Sequence, residues 1–574
     1  MARRRAAALV AAVLSIGVLY LGLRLGALVA GGSDSYGYVS EAALWRHGLP
    51  IVHQDIVRTS PWPRAAQTWT PLGYRASPKL PDAIVPVYAP GLPLLMALLQ
   101  AIAGSCGAFL VVPLCGALTI WLTFTLGRQL FEPPAIALWG AALVATSPVF
   151  LYQLMNAMSD VPVTAAWTLV LVLAVAGRPL ASGIATGAAL AIRPNLAPLA
   201  IVVAAWIGLT AAATWSASLS RLRSLENRAS CGEARRSARG AKAAGEQRRS
   251  AESLALRAGG HVARFLAGVA PAVIGVGWLN AQLYESPLTF GYGKTSDFYS
   301  FGYLFTNVRQ FVTWTLDVET PVVTLAALYV AVPRLFPPPR VRFARLLLGG
   351  TMSVVVLSYL FYVPFGAWWF LRFLLPMWPV MMLLTAASVD TLARRWLRPA
   401  YPVVIAAAAA LIAWHGVKTA GDRYTFDLWR GERRYIDVGR FMAAHTEPGA
   451  VLFSMQHSGS LRLYAGRLTL RYDLLDPAWL DRTVEHLRSI GRRPYFVLDE
   501  FEVDVFKKRF ARRNRWGTLD WPPMATLGTT VAIYDPIDQK LDTPPLAIAR
   551  TRTRRGSWLC DPPQVCPAGT PASP

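Results

Sequence analysis

The residues best suited to chemistry in this chain are two acids and two arginines, each at a boundary between an apolar run and a polar one. Asp34 stands in Gly31-Gly32-Ser33-Asp34-Ser35-Tyr36-Gly37-Tyr38, just past the end of the first apolar run. Asp160 stands in Ser159-Asp160-Val161-Pro162, where another run begins. A carboxylate at the mouth of an apolar bundle is desolvated, so it is costly unless used or paired. Each acid also reads as a helix N-terminus. Asp34 would cap a helix through Ser40-Glu41-Ala42-Ala43-Leu44, and Asp160 would open one with Pro162 in its first turn. Capping and catalysis are compatible. Two such acids can share a proton, bind a divalent cation or flank a reacting centre.

Arg193, in Ala191-Ile192-Arg193-Pro194-Asn195, and Arg372, in Trp368-Trp369-Phe370-Leu371-Arg372-Phe373, fall at the outer ends of two further runs. Their planar guanidinium groups match a phosphate; the alternative is structural arginines that snorkel. Tyr36, Tyr38, Glu41 and Lys294 are candidate substrate contacts. Lys294 lies in a loop that also carries Tyr292, Asp297, Tyr299 and Tyr303, a mixture able to stack on a sugar or to sit among headgroups. His47 and His53 read as surface residues. The chain has no Walker loop, no dinucleotide-binding glycine pattern and no HExxH.

What must position these groups is a membrane bundle. Of the 574 residues 54% are hydrophobic and 16% charged, against about 25% charged in a soluble chain. Twenty Trp and 20 Tyr suit the aromatic belts at headgroup level. The net charge of +24 sits in short loops between apolar runs, which excludes nucleic acid and marks cytoplasmic loops. Apolar runs able or nearly able to cross about 30 Å of hydrocarbon fall near 6–29, 86–104, 107–127, 135–155, 161–177, 181–193, 196–214, 265–283, 317–333, 346–364, 370–388 and 402–417. Residues 1–5 carry three arginines, and the first run is read as an uncleaved span with those arginines inside. Residues 221–257 hold ten Lys/Arg against four Glu and read as a disordered cytoplasmic loop. Seven runs precede that loop, although an even number is needed. One of the three within 86–155, where Pro113, Pro133-Pro134 and Pro148 interrupt the pattern, is expected not to cross simply. The expectation is an all-α polytopic protein of about 11–13 transmembrane helices, occupying 1–419, with 31–85 as its first exoplasmic loop.

From 420 to 545 the pattern changes to short apolar runs (451–453, 468–470, 495–498, 531–534) between helical stretches near 433–446, 477–490 and 500–511. That alternation predicts an exoplasmic α/β domain, followed by a disordered tail at 546–574. Cys106 and Cys115 read as apolar filler. Cys560 and Cys566 would bridge if the tail meets an oxidising compartment.

Four stretches together resemble the GT-C glycosyltransferases, in particular the protein O-mannosyltransferases and the aminoarabinose transferases of lipid A. They are Asp34 with the helix ending in Trp45-Arg46-His47-Gly48, Pro86-Val87-Tyr88-Ala89-Pro90-Gly91-Leu92-Pro93, Thr146-Ser147-Pro148 with Ser159-Asp160-Val161-Pro162, and Phe370–Pro376. The likeness covers about 1–390. It implies a polyprenyl-phosphate-linked sugar as donor, Asp34 as the general base, and Asp160 as a second acid or metal ligand. Where the family often has Asp-Glu or Asp-x-Asp, this chain has Asp34-Ser35, so no cofactor is assigned and a divalent cation is left open. The expected activity is sugar transfer to a glycan, lipid or protein at the exoplasmic face of the inner membrane, among membrane lipids. The alternative is a transporter or flippase of lipid-linked glycans, which would bind the same headgroups without chemistry.

Overall fold

The computed structural model describes residues 2–229, 239–293, 295–396 and 401–550. In lipid a backbone must satisfy its own polar groups, and an open apolar run does so as a helix. Among the described residues six helices are long and apolar enough to cross a bilayer: Arg5–Leu25, Ser105–Leu130, Pro194–Ala213, Ala258–Leu283, Trp368–Trp396 and Val403–Asp422. The pair Pro134–Thr146 and Pro148–Leu154, bent by 59° at Ser147, makes a seventh. Shorter apolar helices lie at Gly91–Ala103, Asp160–Val175, Pro179–Ile192, Pro321–Ala331 and Ala344–Leu360. This is a multi-pass membrane protein.

The odd count before residue 215 resolves at Gly91–Ala103. Thirteen residues reach only about 20 Å. Gly91 packs on the Ala191–Ile192 backbone, and the Leu99 carbonyl lies against Gly107, at the start of the next span. Leu94, Leu95, Leu98 and Ile102 are exposed while Leu92, Met96 and Gln100 are buried. The helix therefore lies along one end of the bundle with an apolar face outward. Asp160–Val175 and Pro179–Ile192 are also short, but they form an antiparallel pair that brings Asp160 and Arg193 back to one end. Without Gly91–Ala103, and with the bent pair as one, six apolar helical segments precede residue 215, an even number.

The bend at Ser147 helps to hold the site. Ser147 caps Pro148–Leu154, accepting from the Phe150 N–H. Its hydroxyl also donates to Glu319 Oε1, and the Trp378 indole donates to both, at 3.0 Å and 3.1 Å. This buried trio ties the segment leading to Asp160 to the one carrying Arg372. Glu319→Ala leaves the buried Ser147 hydroxyl without its acceptor, while the Trp378 indole keeps Ser147 Oγ, and is expected to cost about 1–3 kcal/mol. Glu319→Gln keeps an acceptor and should cost less, as thermal unfolding in detergent would measure. Equal stability of the alanine variant and wild type would show that the trio holds nothing.

In the loop 31–85, β1 (Val52–His53), β2 (Tyr74–Ala76) and β3 (Ala83–Pro86) form an antiparallel sheet in the order β1-β3-β2. The C-terminal domain has β4 (Val451–Phe453), β5 (Leu468–Leu470), β6 (Pro494–Asp499), β7 (Ala525–Leu527), β8 (Val531–Tyr534) and β9 (Leu546–Ala547), ordered β5-β4-β6-β8-β7-β9. Strands β5, β4 and β6 are parallel, and β6, β8 and β7 antiparallel. Helices Arg434–His445, Leu480–Ser489 and Glu500–Phe510 fall where the pattern puts them. The loop is not independent of this domain. Trp62 and Trp69 are buried in the domain's own core with Phe453, Leu470, Phe496 and Phe506. The Arg471 N–H donates to the Thr68 carbonyl at 2.7 Å, which stitches the two together.

Three readings change. Residues 221–229 and 239–257 are helical, extending Pro198–Ala229 and opening Arg239–Leu283, so the disordered-loop reading fails there. Ala, Glu, Lys and Arg are good helix formers, and low apolar content excludes burial rather than helix. Strand β9 carries the sheet to Ala547, inside the stretch expected as tail, and residues 551–574 lie outside the described residues. Cys106 is disulfide-bonded rather than apolar filler, whereas Cys115 is free. The expected Cys560–Cys566 bridge lies outside the described residues.

Candidate active site

Four separate elements bring the two acids and two arginines together. Asp34 is the first residue of the helix Asp34–Trp45, and Asp160 is the first of Asp160–Val175. Neither is the capping residue; Ser33 and Ser159 hold those places, without side-chain caps. The acids gain from the positive helix ends but turn their carboxylates to guanidinium groups instead. Arg193 ends the helix Pro179–Ile192, where a cation meets the negative end. Arg372 lies in the 3₁₀ stretch Trp368–Met377.

The groups form a chain of contacts. Arg372 Nη1 donates to Asp34 Oδ2 at 2.9 Å and lies 3.8 Å from Asp160 Oδ2. Arg193 Nη2 donates to Asp160 Oδ1 at 2.6 Å and to Ser159 Oγ at 2.9 Å. The Tyr38 hydroxyl donates to the same Ser159 Oγ at 3.1 Å. Tyr88 donates to Asp34 Oδ1 at 2.6 Å, with Ser33 Oγ at 2.7 Å from its hydroxyl. Phe370 and Phe373 face the Arg372 guanidinium at 5.3 Å and 5.2 Å. Asp160 is buried, while Asp34 keeps 24% of its side chain exposed at the mouth. Arg193 Nη1 and Arg372 Nε have no hydrogen-bond partner within the protein.

Burial alone would push the Asp34 carboxyl up. The Arg372 charge and the hydrogen bonds from Tyr88 and Arg372 outweigh it and hold Asp34 below its usual 3.8. Burial, with the Asp34 carboxylate beside it, raises the Tyr88 phenol well above 10.0, so it stays a donor.

Of the residues expected here, Asp34, Asp160, Arg193, Arg372 and Tyr38 converge. Tyr36 does not: it packs on Gly459 of the C-terminal domain and near Tyr74. Glu41 is buried away from the group, accepting from the Trp45 indole at 3.1 Å. Lys294 lies outside the described residues. The loop around it still reaches the site, since Tyr292 packs edge-on to Tyr88 at 5.7 Å. Tyr88 and Ser159 stood in the family-like motifs without a role; the signal was an aromatic and a hydroxyl next to the two acids.

Each acid has a guanidinium partner, Asp160 Oδ2 accepts no hydrogen bond within the protein, and no group of three or more His, Cys, Asp or Glu side chains gathers among the described residues.

No protein-family model and no curated protein sequence matches the chain. Solved structures do. ArnT from Cupriavidus metallidurans bound to undecaprenyl phosphate is 12% identical, with 92% of this chain and 97% of that one aligned and a TM-score of 0.52. Apo ArnT is 14% identical over 92% and 97%, at 0.49. The archaeal oligosaccharyltransferase AglB from Archaeoglobus fulgidus, in complex with an inhibitory peptide and a dolichol-phosphate, is 12% identical over 94% and 75%, at 0.48. The likeness to the first of these establishes a shared fold.

Proposed function

We propose that this GT-C-fold membrane protein transfers a sugar from a polyprenyl-phosphate-linked donor to an acceptor hydroxyl, at the exoplasmic face of the inner membrane. The observation that carries this reading is the contact chain Asp34–Arg372–Asp160–Arg193 at one mouth of the bundle. It offers one partly exposed carboxylate beside two guanidinium groups with unused N–H donors. In the transfer, Asp34 takes the acceptor's hydroxyl proton as that oxygen bonds to the anomeric carbon. The bond from that carbon to the phosphate oxygen breaks, and the electron pair leaves with the phosphate. Arg372 and Arg193 meet the charge that develops there. Asp160, buried between them, holds both guanidinium groups in place. A base on one face and a leaving group on the other inverts the anomeric centre. The undecaprenyl phosphate bound to ArnT supports a lipid-phosphate donor.

One feature supports the sidedness: the basic loop 334–345 lies at the end opposite Asp34, since the Arg340 N–H bonds the Leu130 carbonyl, and such loops stay in the cytoplasm. Alkaline-phosphatase fusions at Gly177 and Gly449 test it. High activity at Gly449 and low at Gly177 is expected; the reverse would overturn the sidedness. Incubating the protein in lipid with a panel of polyprenyl-phosphate sugars tests the reaction and identifies the donor.

A further inference from the structure

The C-terminal domain carries a topological switch point of the kind at which open α/β sheets take ligands, and the loop after β4 there packs on the segment that carries Asp34. Adjacent parallel strands β4 and β6 send the chain to opposite faces of the sheet. After β4, helix Ser458–Ala465 packs with Val438, Met442 and Leu452 on one face. After β6, helix Glu500–Phe510 packs with Phe453, Leu487 and Phe496 on the other. At such a switch point the carboxyl ends of the strands part and leave a crevice.

Polar residues fill this one. His457, fully buried, pairs through Nε2 with Asp499 Oδ1 at 2.9 Å, and its Nδ1 has no hydrogen-bond partner within the protein. Glu502 pins the loop after β4 by accepting the Met455 and Gln456 N–H groups at 3.1 Å and 3.2 Å. Nearer the mouth, Gln456 Nε2 donates to the Tyr435 hydroxyl at 2.6 Å. Arg434 lies 3.8 Å from Glu432 and 3.6 Å from Asp499.

The mouth faces the segment that delivers Asp34. A Cβ on Gly31 would lie 2.2 Å from the Tyr435 ring and 2.8 Å from Glu432 Oε2, so only glycine fits there. Gly32, at φ +58°, faces Gln456 and is two residues from Asp34. Tyr435, Glu432 and Gln456 thus pack directly on the segment that carries Asp34.

We infer that this crevice is the acceptor subsite, and that Glu432, Gln456 and Tyr435 bind hydroxyl groups of a sugar on the acceptor; this rests on the transferase reading above. A carboxylate, an amide and a phenol around an aromatic face suit neighbouring hydroxyls. Arg434 is already matched by Glu432 and Asp499, so it offers little uncompensated charge to a phosphate.

The test measures binding of radiolabelled n-octyl glycosides (glucoside, galactoside, mannoside, arabinoside) to the full chain in lipid nanodiscs. At least one glycoside is expected to bind saturably. Glu432→Gln and Gln456→Ala should each weaken it about tenfold, the loss of one good hydrogen bond, with polyprenyl-phosphate binding unchanged. Absence of saturable binding to wild type, or binding within twofold of wild type in both variants, overturns the inference. Failure of wild type to bind polyprenyl phosphate instead overturns the donor reading, so the two failures are told apart.

Discussion

Asp34→Asn is expected to lower turnover by roughly 10²–10⁴-fold, the usual range for losing a positioned general base. The substitution keeps the shape of the side chain and an oxygen for the Tyr88 hydrogen bond at Oδ1. What it removes is the charge that accepts the proton and pairs with Arg372. The new amide then meets the Arg372 N–H, so some thermal stability is lost, but kcat should fall far more than that loss explains. A second readout separates chemistry from structure. In wild type Asp34 is held below 3.8 by Arg372 and Tyr88 against the effect of its burial. The carboxylate stays charged as pH falls to about 5, so kcat/KM should show no acid limb from Asp34 above that pH. Turnover within a few-fold of wild type in Asp34→Asn would end the assignment.

Arg372→Ala should cost about 10²–10³-fold in kcat, comparable with removing one preorganised donor to a developing charge. Arg372 Nη1 touches Asp34 and approaches Asp160, so its loss also leaves two carboxylates facing each other without a cation between them. One of them would then take up a proton more readily, which weakens the base as well. Arg372→Lys keeps the charge and loses the planar fork. It should retain more activity than the alanine variant, with weaker donor binding, and Arg193→Lys should behave alike. Donor binding and kcat measured on all three would show it; normal values in the lysine variants would make these arginines purely structural.

How much of this could be read from the residues depends on how rare each signal is. Charges at the ends of apolar runs are rare and costly, so Asp34, Asp160, Arg193 and Arg372 stood out before any geometry was known. Aromatic residues near headgroups are common, so Tyr88 was indistinguishable from a belt residue until its hydroxyl was seen on Asp34. Helical periodicity explains the two tyrosines of the first helix. Tyr38 is four residues from Asp34 and shares its face, whereas Tyr36 is turned by about 200° and meets Gly459. Glu41 does share the face of Asp34, but two turns on, roughly 10 Å along the axis. In the C-terminal domain the runs bounded by turns marked β4, β5, β6 and β8. The eight-residue helix Ser458–Ala465, with a glycine inside it, left no clear period. Burial of Trp62 and Trp69 in a core built from residues 451–534 had no local signal at all, because it joins segments some 400 residues apart. The acceptor crevice was hidden for the same reason.

The most direct test follows one donor molecule. A polyprenyl-phosphate sugar, radiolabelled in the sugar and presented on the Gly449 side of proteoliposomes, is incubated with the protein and an acceptor for a single turnover. In wild type the label is expected to leave the lipid and join the acceptor, with free polyprenyl phosphate released in equal amount. In Asp34→Asn the label should stay on the lipid. Recovery of the labelled donor intact on the opposite side of the bilayer, at the same rate in both proteins, would contradict the account and make this chain a carrier of lipid-linked sugars.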